Sequence, residues 1–409
     1  MLTVAVPGSK SITQRALMAC ALSSQKHVLQ GALHCDDSQA LTELLKSLGH
    51  RVVWSETGAE VTPPLPSTTL AKAHCKLAGT TLRFGACLSL VNSRSIALDG
   101  DTRLRERPLI ALLNALEHLG VSVEYKGKEG HLPFILTGPA SPRASSPEVF
   151  VDSTESSQFI SGLLLVAPYL PHGLIIRTQP HQVSKPYINM TLQMLQEFKV
   201  DAHERERGLF FVPHGKLQMP STYEIEGDWS AAAFLYSAAH IANVDVRISN
   251  LPKRSMQGDS LFLNFLESFR NSPENAPTER HFSLINTPDL VAPLAALAAF
   301  SAGKTVFTGI AHARTKECDR IAVLARALCA VGCAVTEFDD GFSVEKEAAA
   351  INISGQSVCL NPMNDHRMAM AFGLLELGGL PVTILNKECV SKSYPDFWNT
   401  LDLIRSKKK

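Results

Sequence analysis

Apolar positions recur along this chain at helical spacing, and most of these runs end in a glycine or a similar stop before a short β-branched strand. Leu41 to Leu48 stops at Gly49 ahead of Val52 and Val53, and Leu109 to Leu119 stops at Gly120 ahead of Val121 and Val123. Met190 to Phe198 ends at Lys199 before Val200, Leu261 to Phe269 forms a fourth helix, and Ile321 to Val331 stops at Gly332 before Val335. Phe397 to Ile404 closes the chain as a sixth helix. A glycine just past the last turn supplies the left-handed conformation that helix C-termini favour. The first two stops lie roughly 70 residues apart, too long a period for a solenoid, so copies of one α/β unit are predicted. Six units shared between two cores give three per domain.

Polar clusters between these runs lead into further apolar helices. Ser11 and Gln14, in Pro7-Gly8-Ser9-Lys10-Ser11-Ile12-Thr13-Gln14-Arg15, have capping-box spacing ahead of Ala16, Leu17, Ala19 and Leu22. Lys10 and Ser11 then sit at a freshly opened helix N-terminus, with Arg15 on the face of Ser11. Backbone N–H groups, a dipole end, a lysine, a hydroxyl and an arginine together suit an anion. A plain capped helix with solvated charges has the same local pattern. Ala78-Gly79-Thr80-Thr81-Leu82-Arg83 precedes Phe84 to Leu90, Arg105-Glu106-Arg107-Pro108 precedes another helix, and Ser156-Ser157-Gln158 opens Phe159 to Val166. Lys316-Glu317-Cys318-Asp319-Arg320 opens the helix from Ile321, with Lys316 and Arg320 on one face. Asn364-Asp365-His366-Arg367 leads into Met368 to Phe372, and Lys392 lies just before the final helix.

Charge narrows what such anions belong to. Lys and Arg number 39 against 39 Asp and Glu, so no net field draws the chain to nucleic acid or an acidic membrane. With 409 residues and 45% hydrophobic content, two large cores are expected. No apolar stretch suits a bilayer span, and the opening strand Leu2 to Val6 carries no signal-peptide pattern. Nine cysteines without CxxC spacing point to reduced thiols in the cytoplasm, and no metal set is completed. Cys329 and Cys333 are expected in core packing. Pro63 to Thr69, Pro139 to Pro147 and Asn271 to Arg280 read as surface loops.

In number and order, these clusters resemble the 5-enolpyruvylshikimate-3-phosphate (EPSP) synthase family over nearly the full length. The carrying motifs are Pro-Gly-Ser-Lys-Ser at 7–11, Ala-Gly-Thr at 78–80, Glu106-Arg107-Pro108, Ser156-Ser157-Gln158 and Ser184-Lys185-Pro186-Tyr187. They continue with Glu226-Gly227-Asp228, Gln257-Gly258-Asp259, Lys316-Glu317-x-Asp319-Arg320, Asn364-Asp365-His366-Arg367 and Lys392. The resemblance implies a two-domain inside-out α/β barrel, each domain three βαβαββ units with helices inside and strands outside. Residues 10–226 would form the first domain and 1–9 with 227–409 the second, with the active site in the cleft between them and crossings near Lys10 and Gly227.

It also implies a reaction: the enolpyruvyl group of phosphoenolpyruvate passes to the 5-hydroxyl of shikimate 3-phosphate, releasing phosphate, without metal or organic cofactor. Two such substrates carry roughly five or six negative charges, which a dense cationic lining must balance. By resemblance shikimate 3-phosphate is held by Lys10, Ser11, Arg15, Ser156, Ser157, Gln158, Ser184, Tyr187, Asp289, His312 and Lys316. Phosphoenolpyruvate is held by Lys10, Gly79, Arg107, Gln158, Arg320, Arg367 and Lys392, with Arg83 supporting that shell. Asp289 is the candidate base, with Lys10 close to that role. Glu317 is the candidate acid, and Lys316 and Lys392 stabilise developing charge. Leu77 and His312 stand where the family usually has asparagine, and Phe84 where many herbicide-sensitive members have proline. His312 is therefore expected to make binding weaker or pH-sensitive without loss of activity, and glyphosate to compete with phosphoenolpyruvate. A monomer is expected. Two rivals are a UDP-N-acetylglucosamine enolpyruvyl transferase, which typically has Lys-Asn where Lys10-Ser11 stands here, and a non-catalytic anion-binding scaffold.

Overall fold

In the computed structural model, residues 1–65, 70–92, 94–139, 148–270, 279–346 and 357–408 are described. The loops expected at Pro63 to Thr69, Pro139 to Pro147 and Asn271 to Arg280 lie largely outside them. The chain forms two compact units: an N-terminal unit of Gly8–Glu226, and a C-terminal unit that joins Met1–Pro7 to Gly227–Lys409.

The repeat is explicit in the N-terminal unit. Strand Ala71–His74, helix Gly79–Cys87, strand Ile96–Asp99, helix Ile110–His118 and strands Ser122–Tyr125 and Phe134–Thr137 follow in order. The first two strands pair in parallel and the last two form a hairpin, whose return strand pairs antiparallel with Ile96–Asp99. Glu148–Phe150 to Leu209–Val212 repeats that βαβαββ order and pairing. The third copy is closed by the chain's own return. Thr222–Glu224 pairs in parallel with His27–Gln30, and the hairpin of Arg51–Ser55 and Gly58–Thr62 completes that sheet.

In the C-terminal unit, Glu279–Ser283 to Gly341–Lys346 makes one full βαβαββ copy. The other two copies hold a parallel pair, Leu2–Val4 with Val246–Ile248 and Val358–Leu360 with Val382–Ile384. Among the described residues neither pair gains a further strand.

Helices fill the inside of each unit. Lys10–Leu22, Gly79–Cys87 and Gln158–Val166 pack on one another in the N-terminal unit. Trp229–Ala242, Val291–Ala298 and His366–Leu377 do so in the C-terminal unit. These six are buried over most of their surface, so their sequences lack a polar stripe. The strands outside them alternate, as in His27–Gln30 and Leu174–Arg177, with every second residue turned inward. Rings of Phe269, Phe282, Phe307 and Phe342 run through the C-terminal core at successive centroid distances of 5.7, 5.9 and 5.1 Å. Each buried side chain of this size contributes about 1.5–3 kcal/mol.

The amphipathic helices read from the sequence lie between core and sheets, and their stops have the expected geometry. Gly49, Gly120 and Gly332 take φ of +97°, +98° and +89°, and Lys199 takes +66°. Two expectations change. The strand after Lys199 begins at His203 rather than Val200. Cys333 is buried, but Cys329 is exposed.

Candidate active site

Site motifs sit where the core helices begin. In the N-terminal unit the first helix starts at Lys10, two residues earlier than the Ser11–Gln14 spacing suggests, because Ser9 is the cap: its Oγ accepts from Ile12 N at 3.5 Å. Ser9 N is anchored on Glu226 O at 2.8 Å, and a Cβ on Gly8 would fall 1.8 Å from Gly31 O, so the chain enters tightly there. Lys10 Nζ lies 3.1 Å from Asp37 Oδ2, an ion pair the sequence reading did not foresee.

Arg15 is buried and directs four of its N–H groups at protein. Nε donates to Thr191 Oγ1 at 2.8 Å, Nη1 to Ser11 O at 2.9 Å, and Nη2 to Tyr187 O at 3.0 Å and Ser161 Oγ at 3.2 Å. Burial lowers its pKa to about 10, which leaves it charged at neutral pH. Its face meets the Phe84 ring at 5.4 Å. A guanidinium has five N–H donors, so at most one remains for a ligand.

Gly79 begins the second core helix between two guanidiniums. A Cβ there would stand 2.5 Å from Arg83 Nη1 and 2.7 Å from Arg107 Nη1. Arg83 Nη1 also donates to Gly79 O at 3.0 Å and stacks on Phe159. Gln158 begins the third core helix, where its side-chain amide donates to Thr80 Oγ1 at 2.8 Å and its backbone N–H to Ser156 Oγ at 3.2 Å. Ser156 and Ser157 are both buried. Ser184 caps Lys185–Glu197 in a left-handed conformation.

The C-terminal unit gathers its candidates around one side chain. Arg320, whose side chain is 2% exposed, donates from Nε to Asp365 Oδ2 at 2.7 Å, from Nη1 to Asp289 Oδ1 at 2.7 Å, and from Nη2 to Glu317 Oε2 at 2.9 Å. Burial alone would lower its pKa, but the charges of Asp365, Glu317 and Asp289 outweigh burial and raise it. Arg367 Nη2 reaches the other oxygen of Asp289 at 2.8 Å, and Lys392 Nζ stands 3.6 Å from Glu317 Oε1. Base and acid candidates are thus each bracketed by two cations. Asp319 caps Arg320–Ala330 through Ala322 N, so Lys316 and Glu317 precede the helix rather than sharing its face.

His312 lies in the turn Ala311–Thr315 and is buried. Burial, helped by Lys316 and Arg320, lowers its pKa to about 3. A histidine lowered that far is neutral near pH 7, which argues against pH-sensitive binding through His312. Two carboxylates that pair with candidate site residues are not predicted by the sequence. Asp37 faces Lys10, and Asp365 joins Arg320 while also capping the last core helix through Arg367 N at 2.9 Å. Asp365 stood inside a quoted motif, so its place there was the available signal. Among the described residues no group of three His, Cys, Asp or Glu side chains is placed to hold a metal ion, and no helix is long and apolar enough to cross a membrane.

Repeated βαβαββ units whose core helices open on cations, hydroxyls and bracketed carboxylates define an enolpyruvyl-transferase fold. The family model for EPSP synthase (3-phosphoshikimate 1-carboxyvinyltransferase) matches residues 2–401. The 3-phosphoshikimate 1-carboxyvinyltransferase of Escherichia coli O1:K1 is 32% identical, over 98% of this chain and 95% of the relative. That of Shigella flexneri serotype 5b is 33% identical with the same coverage. Two EPSP synthase structures from Acinetobacter baumannii share the fold, with TM-scores of 0.74 and 0.73 at 22% and 21% identity, each over 98% of this chain and 95% of the other. The chain belongs to the EPSP synthase family. Its reaction is that family's, transfer of the enolpyruvyl group of phosphoenolpyruvate to shikimate 3-phosphate in the shikimate pathway.

Proposed function

We propose that the transfer proceeds by addition and elimination, with Asp289 as base and Glu317 as acid. The carrying observation is that Arg320 holds both carboxylates, at 2.7 and 2.9 Å. Asp289 takes the proton of the 5-hydroxyl as its oxygen attacks C2 of phosphoenolpyruvate, while Glu317 protonates the methylene carbon. Elimination reverses the second transfer: Glu317 recovers a proton from the new methyl group, the double bond re-forms, and phosphate leaves. Lys10 assists near the attacking hydroxyl, and Lys316 and Lys392 offset the charge of the tetrahedral intermediate.

Substrate anions compete with protein carboxylates for the same cations. Phosphoenolpyruvate is held by Lys10, Gly79, Arg107, Gln158, Arg320, Arg367 and Lys392. As Arg320 and Lys392 turn to its carboxylate and phosphate, Glu317 loses the cations that favour its ionised form and becomes able to carry a proton. Shikimate 3-phosphate is held by Lys10, Ser11, Ser156, Ser157, Gln158, Ser184, Tyr187, Asp289, His312 and Lys316, with Arg15 supplying one N–H. The enzyme acts as a cytoplasmic monomer, and glyphosate competes with phosphoenolpyruvate.

Phosphate release tests this reading. Release is expected with phosphoenolpyruvate and shikimate 3-phosphate, and none with UDP-N-acetylglucosamine as acceptor. Release with the nucleotide sugar alone would overturn it. Glyphosate should raise the apparent KM for phosphoenolpyruvate; no inhibition at millimolar concentration would remove that element.

A further inference from the structure

The repeat leaves one strand edge without the neighbour its sister has. In the complete copy of the C-terminal unit, Gly303–Thr308 pairs in parallel with Glu279–Ser283 on one side and antiparallel with Gly341–Lys346 on the other. Val246–Ile248 holds the same place in its own copy, after a core helix and before an amphipathic one, yet among the described residues it pairs only with Leu2–Val4. Leu2 N donates to Asp245 O at 2.7 Å and Ser249 N to Val4 O at 2.9 Å, so alternate residues from Asp245 onward face Leu2–Val4. Val246 and Ile248 therefore turn their N–H and C=O groups to the other edge. In the complete copy, Phe342 and Val344 of the return strand are fully buried in the core, and that strand packs on helix Arg320–Ala330. Beside Val246 the space is open instead. A cavity of about 960 Å³ is lined there by Leu2, Val246 and Leu263, with Arg270 and Lys407 on its walls. Leu263 stays 37% exposed. Asp245 is the one carboxylate among the described lining residues, and Glu267 holds Nη1 of Arg270 at 2.9 Å. Arg247 adds a further cation on the exposed face of the strand.

We propose that this edge is a docking site for an extended, acidic segment of a partner protein, which adds antiparallel to Val246–Ile248 as a further strand. Backbone groups of Val246 and Ile248 supply the hydrogen bonds. Alternate apolar side chains of the segment enter the cavity, as Phe342 and Val344 enter the core of the sister copy. The residue between them points outward, where a carboxylate meets Arg247 across the pair. Carboxylates beyond the apolar positions meet Arg270 and Lys407. An open edge accepts strands of any composition; the three cations along this one, against Asp245 and the half-engaged Glu267, favour an acidic strand.

The test uses the full chain and a fluorescein-labelled peptide, Glu-Phe-Glu-Val-Glu-Glu, which copies the spacing of Phe342 and Val344. Fluorescence anisotropy should show saturable binding that phosphoenolpyruvate and shikimate 3-phosphate do not displace. Hydrogen exchange at the amides of Val246 and Ile248 should slow only when the peptide is bound. The double variant Arg247→Glu, Lys407→Glu changes two exposed positions; it should weaken binding about tenfold and leave phosphate release unchanged. No binding at millimolar peptide overturns the inference. Binding that is equally tight for Lys-Phe-Lys-Val-Lys-Lys, displaced by the substrates, or indifferent to the double variant does so too. Slow exchange at Val246 and Ile248 without peptide also overturns it: in a monomer the chain then covers its own edge, and in a dimer, read by sedimentation, a second copy does.

Discussion

Nη1 of Arg320 lies 2.7 Å from Oδ1 of Asp289, so the arginine that would grip phosphoenolpyruvate also holds the base that activates the other substrate. In the proposed mechanism the two substrates would then meet through one guanidinium. Arg320→Lys cannot bridge three carboxylates in a planar fork, and should lower kcat/KM by at least 100-fold. Steady-state kinetics with both substrates varied would show it. A loss below tenfold would place the chemistry elsewhere.

Glu317→Gln keeps the side chain's shape and removes its proton exchange. Loss of a positioned acid or base costs roughly 10²–10⁴ in rate. Calorimetry should still detect both substrates while phosphate release falls by that factor. Near-normal turnover would exclude Glu317 as the acid.

An alanine methyl at position 79 meets the ends of two flexible side chains rather than backbone. Gly79→Ala should therefore fold normally yet push Arg83 and Arg107 out of place. The expected result is a KM for phosphoenolpyruvate raised at least tenfold, with a melting temperature within a few degrees of the wild type.

Removal of Asp365 breaks a buried ion pair at 2.7 Å and a helix cap at 2.9 Å in one change. Asp365→Ala should destabilise the chain by about 3–5 kcal/mol, read as a lower denaturation midpoint. Asp365→Asn, which retains a capping oxygen, should cost less.

His312 and Asp259 have opposite pH behaviour. With its pKa lowered to about 3, His312 is neutral throughout the range between pH 5.5 and 8. The ratio of shikimate 3-phosphate affinities between wild type and His312→Asn should then be flat across that range. The Asp259 carboxyl is raised to about 7, so the folded chain keeps a proton that the unfolded chain loses near pH 4. Stability from that proton is present below the unfolded value and is lost as pH rises toward 7. Asp259→Asn should therefore gain melting temperature relative to the wild type at pH 8 and not at pH 4.

What the sequence shows and what it hides divide along physical lines. Amphipathic helices such as Asp36–Ser47, with Gly49 behind it, announce themselves by period and stop. Trp229–Ala242 and Val291–Ala298 are buried on nearly every side, so no polar stripe marks them. Lys10, Arg320 and Arg367 were visible because each stands at a helix start beside other polar residues. The carboxylates that fix them, Asp37 and Asp365, are set by pairing across 27 and 45 positions, which local spacing cannot encode. The cap fell on Ser9 rather than Ser11 for a similar reason: backbone contacts with Glu226, over 200 residues away, decide where the chain enters the helix.

Strand Leu2–Val4 pairs with Val246–Ile248, although Gly8–Glu226 forms the other unit. Leu2–Val4 is therefore separated from its partner strand by the whole of the other unit along the chain. An entire unit can complete its sheets while those few residues wait as an unpaired edge. The C-terminal unit, unlike Gly8–Glu226, is not a single cut of the chain. A fragment starting at Gly227 would be born without one strand, and a short peptide carrying residues 1–7 is the natural reagent to restore it.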